Sequence, residues 1–346
     1  MLTDIFAYRY STRVFWVKFT EVEQRLLNQI ASLAKEVLPI YYENGSLNES
    51  INGSWKDIHN NICREIGLNE LFPRYQSYTN QVGIPVNFTN NWGYMCERFI
   101  TATFHPNNNP DSFIKERLSI IKLVMRSRHE QITKINAELP SRLHNASLPK
   151  PIGARILPGD RSESIIAINN FINNTYKSQV EELNERLRRS NVPLAYHNGH
   201  IQISTDETIE IELAKPFWKI ISSEQWINVE IDMKEALDRR DSNGKDPAIF
   251  AAKALESTIM IISNLRGWTT GNERGASHFI DNLISKSNGK YIEVWEGELL
   301  KKYFTYVRNT VSHGPGDKPM PKFNISQTNW AIETAMSWIK SLISRL

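Results

Sequence analysis

The stretch Tyr303-Phe304-Thr305-Tyr306-Val307-Arg308-Asn309-Thr310-Val311-Ser312-His313-Gly314-Pro315-Gly316 reads as a helix that runs into a hard stop. Proline drives the residue before it out of α geometry, and the flanking glycines tolerate a turn. The helix is therefore expected to end close to His313. On an unbroken α-helix two residues five apart point about 140° away from each other. Termination at the histidine lets Arg308 and His313 turn toward one cleft. An Arg followed by a His after four to six residues arises by chance about once or twice in a chain of this composition, and Arg98 with His105 gives a second instance. Only the C-terminal pair sits at the end of a helix followed by a stop.

Working outward, the pattern on both sides of this stretch is helical. Asp246-Pro247 predicts an N-cap with proline at the first helical position, opening a helix that runs through Leu265 and stops at Gly267. Phe250, Leu255, Ile259 and Ile262 mark its buried side. A shorter helix from about Ala276 to Ser287 follows, then the helix carrying Arg308, then a last one from about Ser326 to Leu346. Four or five helices on short loops make a bundle. Upstream, helices are expected over Glu21 to Leu38, Trp55 to Ile66 and Phe113 to Ile135, with Pro73 to Trp92 as loop. Four prolines between Leu139 and Asp160 predict a linker. Asp160-Arg161-Ser162-Glu163 looks like a capping box opening a long helix, and Asn198-Gly199 predicts a type I′ hairpin between Leu194–His197 and His200–Ile203. The expected fold is mainly α, in three segments: a helical region 1–145, a linker with a long helix and a short β-hairpin over 146–227, and a helical bundle over 228–346.

The chain has 346 residues, 40% of them hydrophobic and 23% charged, with a net charge of +3. That composition is globular, and the mild positive charge is compatible with nucleic acid without indicating it. No apolar run of about 18 residues is present and the N-terminus lacks a secretory pattern, so a cytoplasmic protein without membrane contact is expected. Cys63 and Cys96 are the only cysteines. They are too few for a disulfide framework. His59, Cys63 and Cys96 lack an evident fourth zinc ligand, which favours core packing. His197 and His200 read as two exposed imidazoles beside a turn, and most of the nine tryptophans as core. No metal site and no cofactor are expected.

The C-terminal third, from about Asn228 to Leu346, resembles a HEPN domain in its helix order and in Arg308-Asn309 with His313. The N-terminal third is similar to the N-terminal domains of abortive-infection proteins of the AbiJ type. That likeness rests on Asp4-Ile5-Phe6-Ala7-Tyr8-Arg9-Tyr10, Trp55-Lys56-Asp57-Ile58-His59 and Phe113-Ile114-Lys115-Glu116-Arg117-Leu118. The first resemblance implies a metal-independent endoribonuclease whose RNA substrate supplies the 2′-hydroxyl nucleophile, with two Arg/His pairs meeting in one cleft of a homodimer formed through the C-terminal bundle. Arg308, Asn309 and His313 are the catalytic residues it implies. Glu256, on the preceding long helix, is a weaker candidate for holding Arg308 or His313. The second resemblance implies phage defence, with a phage-derived trigger or an antitoxin as a further partner. The rival reading is a non-catalytic HEPN-like sensor or adaptor that dimerises and binds nucleic acid or a phage product.

Overall fold

Residues 4–147, 150–152, 155–157, 162–204, 206–242, 244–309 and 322–346 are described by the computed structural model. The backbone groups into two units, Met1–Ile201 and Gln202–Leu346. Among the described residues the fold is mainly helical with three two-stranded sheets.

The first unit is organised around helix α5 (Pro110–Ser147), which packs against α1 (Phe6–Arg9), α2 (Glu21–Val37), α3 (Glu49–Ile66) and α6 (Ser162–Arg189). Helix α2 starts at a capping box in which Thr20 and Glu23 satisfy each other's end of the turn, and it buries Leu26, Leu27, Ile30, Leu33, Ala34 and Val37. Helix α3 begins six residues before Trp55 because the Asn48 side chain caps Ile51 N. The middle of α5 is buried, from Phe113 through Met125.

Two expectations are corrected here. Pro73 to Trp92 is not all loop: β1 (Tyr75–Thr79) pairs antiparallel with β2 (Pro85–Thr89), ahead of α4 (Trp92–Ile100). The helix expected to end near Ile135 runs on to Ser147 with Pro140 inside it. An internal proline costs about 3 kcal/mol in lost hydrogen bonding and steric clash. Packing on α6 offsets that cost: Asn136 and Asn173 exchange reciprocal 3.0 Å amide bonds, and Tyr176 donates to Met125 O. Short strands β3 (Lys150–Ile152) and β4 (Arg155–Leu157) precede α6. The hairpin of β5 (Leu194–His197) and β6 (His200–Ile203) forms as expected, with Asn198 and Gly199 both at positive φ as a type I′ turn requires.

The second unit is a helical bundle. Helices α7 (Glu207–Ile209) and α8 (Lys215–Ile220) flank a π-helical segment, Glu210–Ala214, and are followed by α9 (Ile227–Asp241), α10 (Pro247–Leu265), α11 (Ala276–Ile284), α12 (Val294–Tyr303) and α13 (Ile325–Ile343). Helix α10 is the axis of the core. Its small residues Ala248, Ala251, Ala252 and Ala254 bring neighbouring helices close, and Leu255, Ile259 and Ile262 fill the gaps. By length and hydropathy alone α10 could cross a membrane, but half of that window is buried within the protein. Asp246 does not cap α10 in the expected way: it sits at φ 53, ψ 50, and its backbone carbonyl, not its side chain, receives Ile249 N–H. Helix α12 meets α11 at Gly297, where a Cβ would lie 2.6 Å from Ile284 Cγ2. Only a glycine allows that approach.

Candidate functional site

Arg308 stands at the end of the strut that α12 begins. After Tyr303 the helix widens into a π-turn, Phe304–Asn309, with i→i+5 bonding. Such turns are uncommon and concentrate at functional positions. The turn is held from inside: Phe304 and Val307 are buried, and the buried Tyr303 hydroxyl donates to Ala331 O on α13 at 2.9 Å. Burial pushes the Tyr303 phenol well above its ordinary range, so it stays a donor.

From this mount the Arg308 Nη1 donates to Glu256 Oε1 on α10 at 2.8 Å. The two side chains differ in exposure, 36% for Arg308 and 14% for Glu256. The carboxylate is therefore the inner partner and the guanidinium the outer one. A guanidinium has five N–H donors in a planar fork. Among the described residues Glu256 is the only partner of Arg308, so most of the fork remains for an incoming anion such as a phosphate. Asn309 closes the π-turn with its backbone. Its side chain, and the segment from Thr310 to Pro321 with His313, lie outside the described residues.

The competing pair makes no comparable arrangement. Arg98 is exposed at the end of α4 with its guanidinium 5.4 Å from the Phe72 ring centroid, and His105 is exposed in the following loop. Among the described residues no group of three or more His, Cys, Asp or Glu could hold a metal. His59 accepts Leu71 N–H at Nε2 and lies beside Cys63 Sγ at 3.7 Å. Both it and the two cysteines are buried, and desolvation pushes the Cys63 thiol up to about 11. Contrary to expectation, neither imidazole beside the Asn198-Gly199 turn is exposed: His197 is buried, and His200 Nδ1 meets Arg9 Nη1 at 2.9 Å.

A second constellation escaped the sequence reading. Helix α5 presents Asp111, Lys115, Ser119 and Lys122 along one buried stripe, and this stripe binds the backbone of residues 4–16. Asp111 Oδ1 accepts from Phe15 N and Trp16 N, and its carboxylate pairs with Lys115. Lys115 donates to Tyr10 O and Arg13 O, Ser119 accepts from Ala7 N, and Lys122 donates to Asp4 O and to the Asp4 carboxylate. Burial raises the Asp4 carboxyl, but the Lys122 and Arg9 cations outweigh it and hold Asp4 below the usual carboxylate range. Arg117, on the neighbouring face, lies 3.2 and 4.3 Å from the ring centroids of Phe113 and Phe99, and burial brings it down to about 10. The signal was in the sequence: charged and polar residues at i, i+4, i+8 and i+11 interrupt an otherwise apolar helix. Every member is committed to the fold, so the clasp is architecture.

The family described as AbiJ N-terminal domain 4 matches residues 4–219. The chain belongs to that family. The match begins at Asp4, the first residue of the clasp, and extends through α8. The matched span thus contains the whole clasp between the N-terminal segment and α5. Membership sets the protein among those of abortive infection, a phage-defence setting. No curated protein and no solved structure matches the chain.

Proposed function

We propose that this protein is a metal-independent endoribonuclease effector of abortive infection, with a HEPN-type site in the C-terminal bundle. The observation that supports the reading is the Arg308–Glu256 pair: a partly exposed guanidinium, fixed on one side by a mostly buried carboxylate and mounted on a π-turn. RNA carries its own nucleophile. Attack of the 2′-hydroxyl on the adjacent phosphorus forms the 2′,3′-cyclic phosphate and breaks the bond to the 5′-oxygen, which leaves as a hydroxyl once protonated. His313 is the general acid/base, a role that suits imidazole chemistry and is worth on the order of 10²–10⁴ in rate. Arg308 stabilises the phosphorane charge, worth on the order of 10²–10³. Asn309 orients the phosphate or the imidazole. Glu256 is a positioning residue that aims the guanidinium. Two copies supply two Arg/His pairs to one cleft through the C-terminal bundles, and the protein acts in the cytoplasm.

The test is cleavage of cellular RNA by the purified full chain. The expected products carry 2′,3′-cyclic ends, cleavage persists in EDTA, and Arg308→Ala or His313→Ala removes it while the fold is retained. Inhibition by EDTA, or full activity in both variants, overturns the assignment. A folded wild-type chain that cuts no RNA points instead to the adaptor reading.

A further inference from the structure

The β1–β2 hairpin is built to project. Its register pairs Tyr75 with Thr89, Ser77 with Asn87 and Thr79 with Pro85. Asn80 N–H donates to Ile84 O, and Asn80 Oδ1 receives both Val82 N–H and Ile84 N–H, closing a three-residue loop with Gly83 at φ +82. At the base, Asn90 N–H donates to Arg74 O, the Asn90 amide donates to Pro73 O and Gln76 Oε1, and the Arg74 guanidinium covers Trp92 at 4.0 Å. Both ends are locked. Yet every residue of both strands except Gln76 and Val86 is exposed, including Tyr75, Tyr78 and Phe88. A lone two-stranded ribbon is marginal in water, and bare strand edges are normally guarded by charge. Here nothing guards them: from Tyr75 through Cys96 the chain has no Asp, Glu, Lys, Arg or His.

The hydrogen bonds at the two ends of the ladder fix which backbone groups are spent. Asn80 with Ile84 and Arg74 with Asn90 are bonded pairs, so by alternation Gln76 and Tyr78 bond inward to β2. The N–H and C=O of Tyr75, Ser77 and Thr79 face outward. The corresponding edge of β2 begins with Pro85, which has no N–H to offer. The open edge is therefore β1, and its outward set is symmetric about Ser77.

We infer that β1 pairs antiparallel with β1 of a second copy of this chain about a twofold axis at Ser77, joining the two hairpins into one four-stranded sheet. Tyr75 then faces the partner's Thr79, Ser77 faces its own mate, and the three bonded pairs supply about six backbone hydrogen bonds. The self-complementarity of the edge selects this occupant, and the absence of charge lets two identical surfaces meet without repulsion. The pairing is independent of the nuclease reading and of any contact between bundles.

Cross-linking of the purified full chain tests it. Both native cysteines are buried, so an introduced thiol reports its own position. In Ser77→Cys the paired Cα atoms lie about 5.5 Å apart, whereas in Val82→Cys, at the loop, the mates lie on the order of 30 Å apart. A short bis-maleimide should link Ser77→Cys at least about tenfold faster than Val82→Cys, reflecting effective concentration. On the Ser77→Cys background, Tyr75→Lys with Thr79→Lys should suppress linking, and Tyr75→Glu with Thr79→Lys should restore it, because each Glu then meets a Lys of the other chain. Equal linking at 77 and 82 overturns the proposal, as does equal behaviour of the Lys/Lys and Glu/Lys variants. Either result leaves the edge to a strand of a different protein.

Discussion

Two sets of cations in this molecule are held in different ways. Lys115 and Lys122 on α5 are buried, and each is tied to a carboxylate and to backbone carbonyls of the N-terminal segment. Arg308 has one carboxylate behind it and a third of its side chain in solvent. A buried charge left without its partner is costly, so the first set must be fully satisfied and has no capacity left for a ligand. The Arg308–Glu256 pair opens to solvent on the guanidinium side only, so it keeps donors available. Partner count and exposure, more than residue type, separate these scaffold cations from the one in the proposed site.

The contrast breaks most easily at Arg308. On the nuclease reading, Arg308→Ala should lower RNA cleavage by on the order of 10²–10³, with an unfolding cost of about 1–3 kcal/mol because the mostly buried Glu256 loses its cation. Denaturant titration beside a cleavage assay measures both, and a large stability loss with intact cleavage would reverse the division. Asp111→Ala should do the opposite. It strips Lys115 of its counter-charge and leaves Phe15 N and Trp16 N unpaired, for a loss of about 3–5 kcal/mol. In the second unit, Gly297→Ala forces a methyl against Ile284 and should cost about 1–3 kcal/mol as an overpacked contact. If α12 is the rigid mount of the π-turn, cleavage falls as well, and an unchanged rate in the folded variant would show the mount to be compliant. A pH signature is expected at Asp4, where Asp4→Asn takes the counter-charge from the buried Lys122. Its folded carboxyl lies below the ordinary range, so its stabilisation is present above the unfolded value and disappears as pH drops through the folded one. Wild type and Asp4→Asn should therefore differ at neutral pH and converge as the solution is acidified below about pH 4. Unfolding midpoints across that window measure it, and a gap that widens on acidification would contradict the assignment.

Periodicity made most of the helices legible. Glu21–Val37 and Pro247–Leu265 carry clean stripes between strong punctuation, and the structure places both within a residue or so of the reading. Pro140 misled because a local breaker can be overridden by tertiary packing, here the Asn136–Asn173 exchange on a helix distant in sequence. The β1–β2 hairpin was missed for a different reason: its residues alternate weakly and neither face is buried, so no hydrophobic pattern marks the register. At the proposed site, the helix leading to Arg308 was legible from its pattern. Glu256 received little weight because 52 residues separate the two in sequence and only helix packing brings them together. His313 and the side chain of Asn309 lie beyond the described residues, so that half of the reading stands on the motif alone.

The π-turn at Phe304–Asn309 holds one more residue per loop of backbone than an α-helix does. Rewinding it to ordinary α geometry at unchanged length would swing Arg308 by on the order of 90° around the axis, away from Glu256, whereas removing one residue along with the rewinding would return it to about the same bearing. The bearing of Arg308 relative to Tyr303, which anchors the turn to α13, is thus set jointly by the residue count and the winding of this segment.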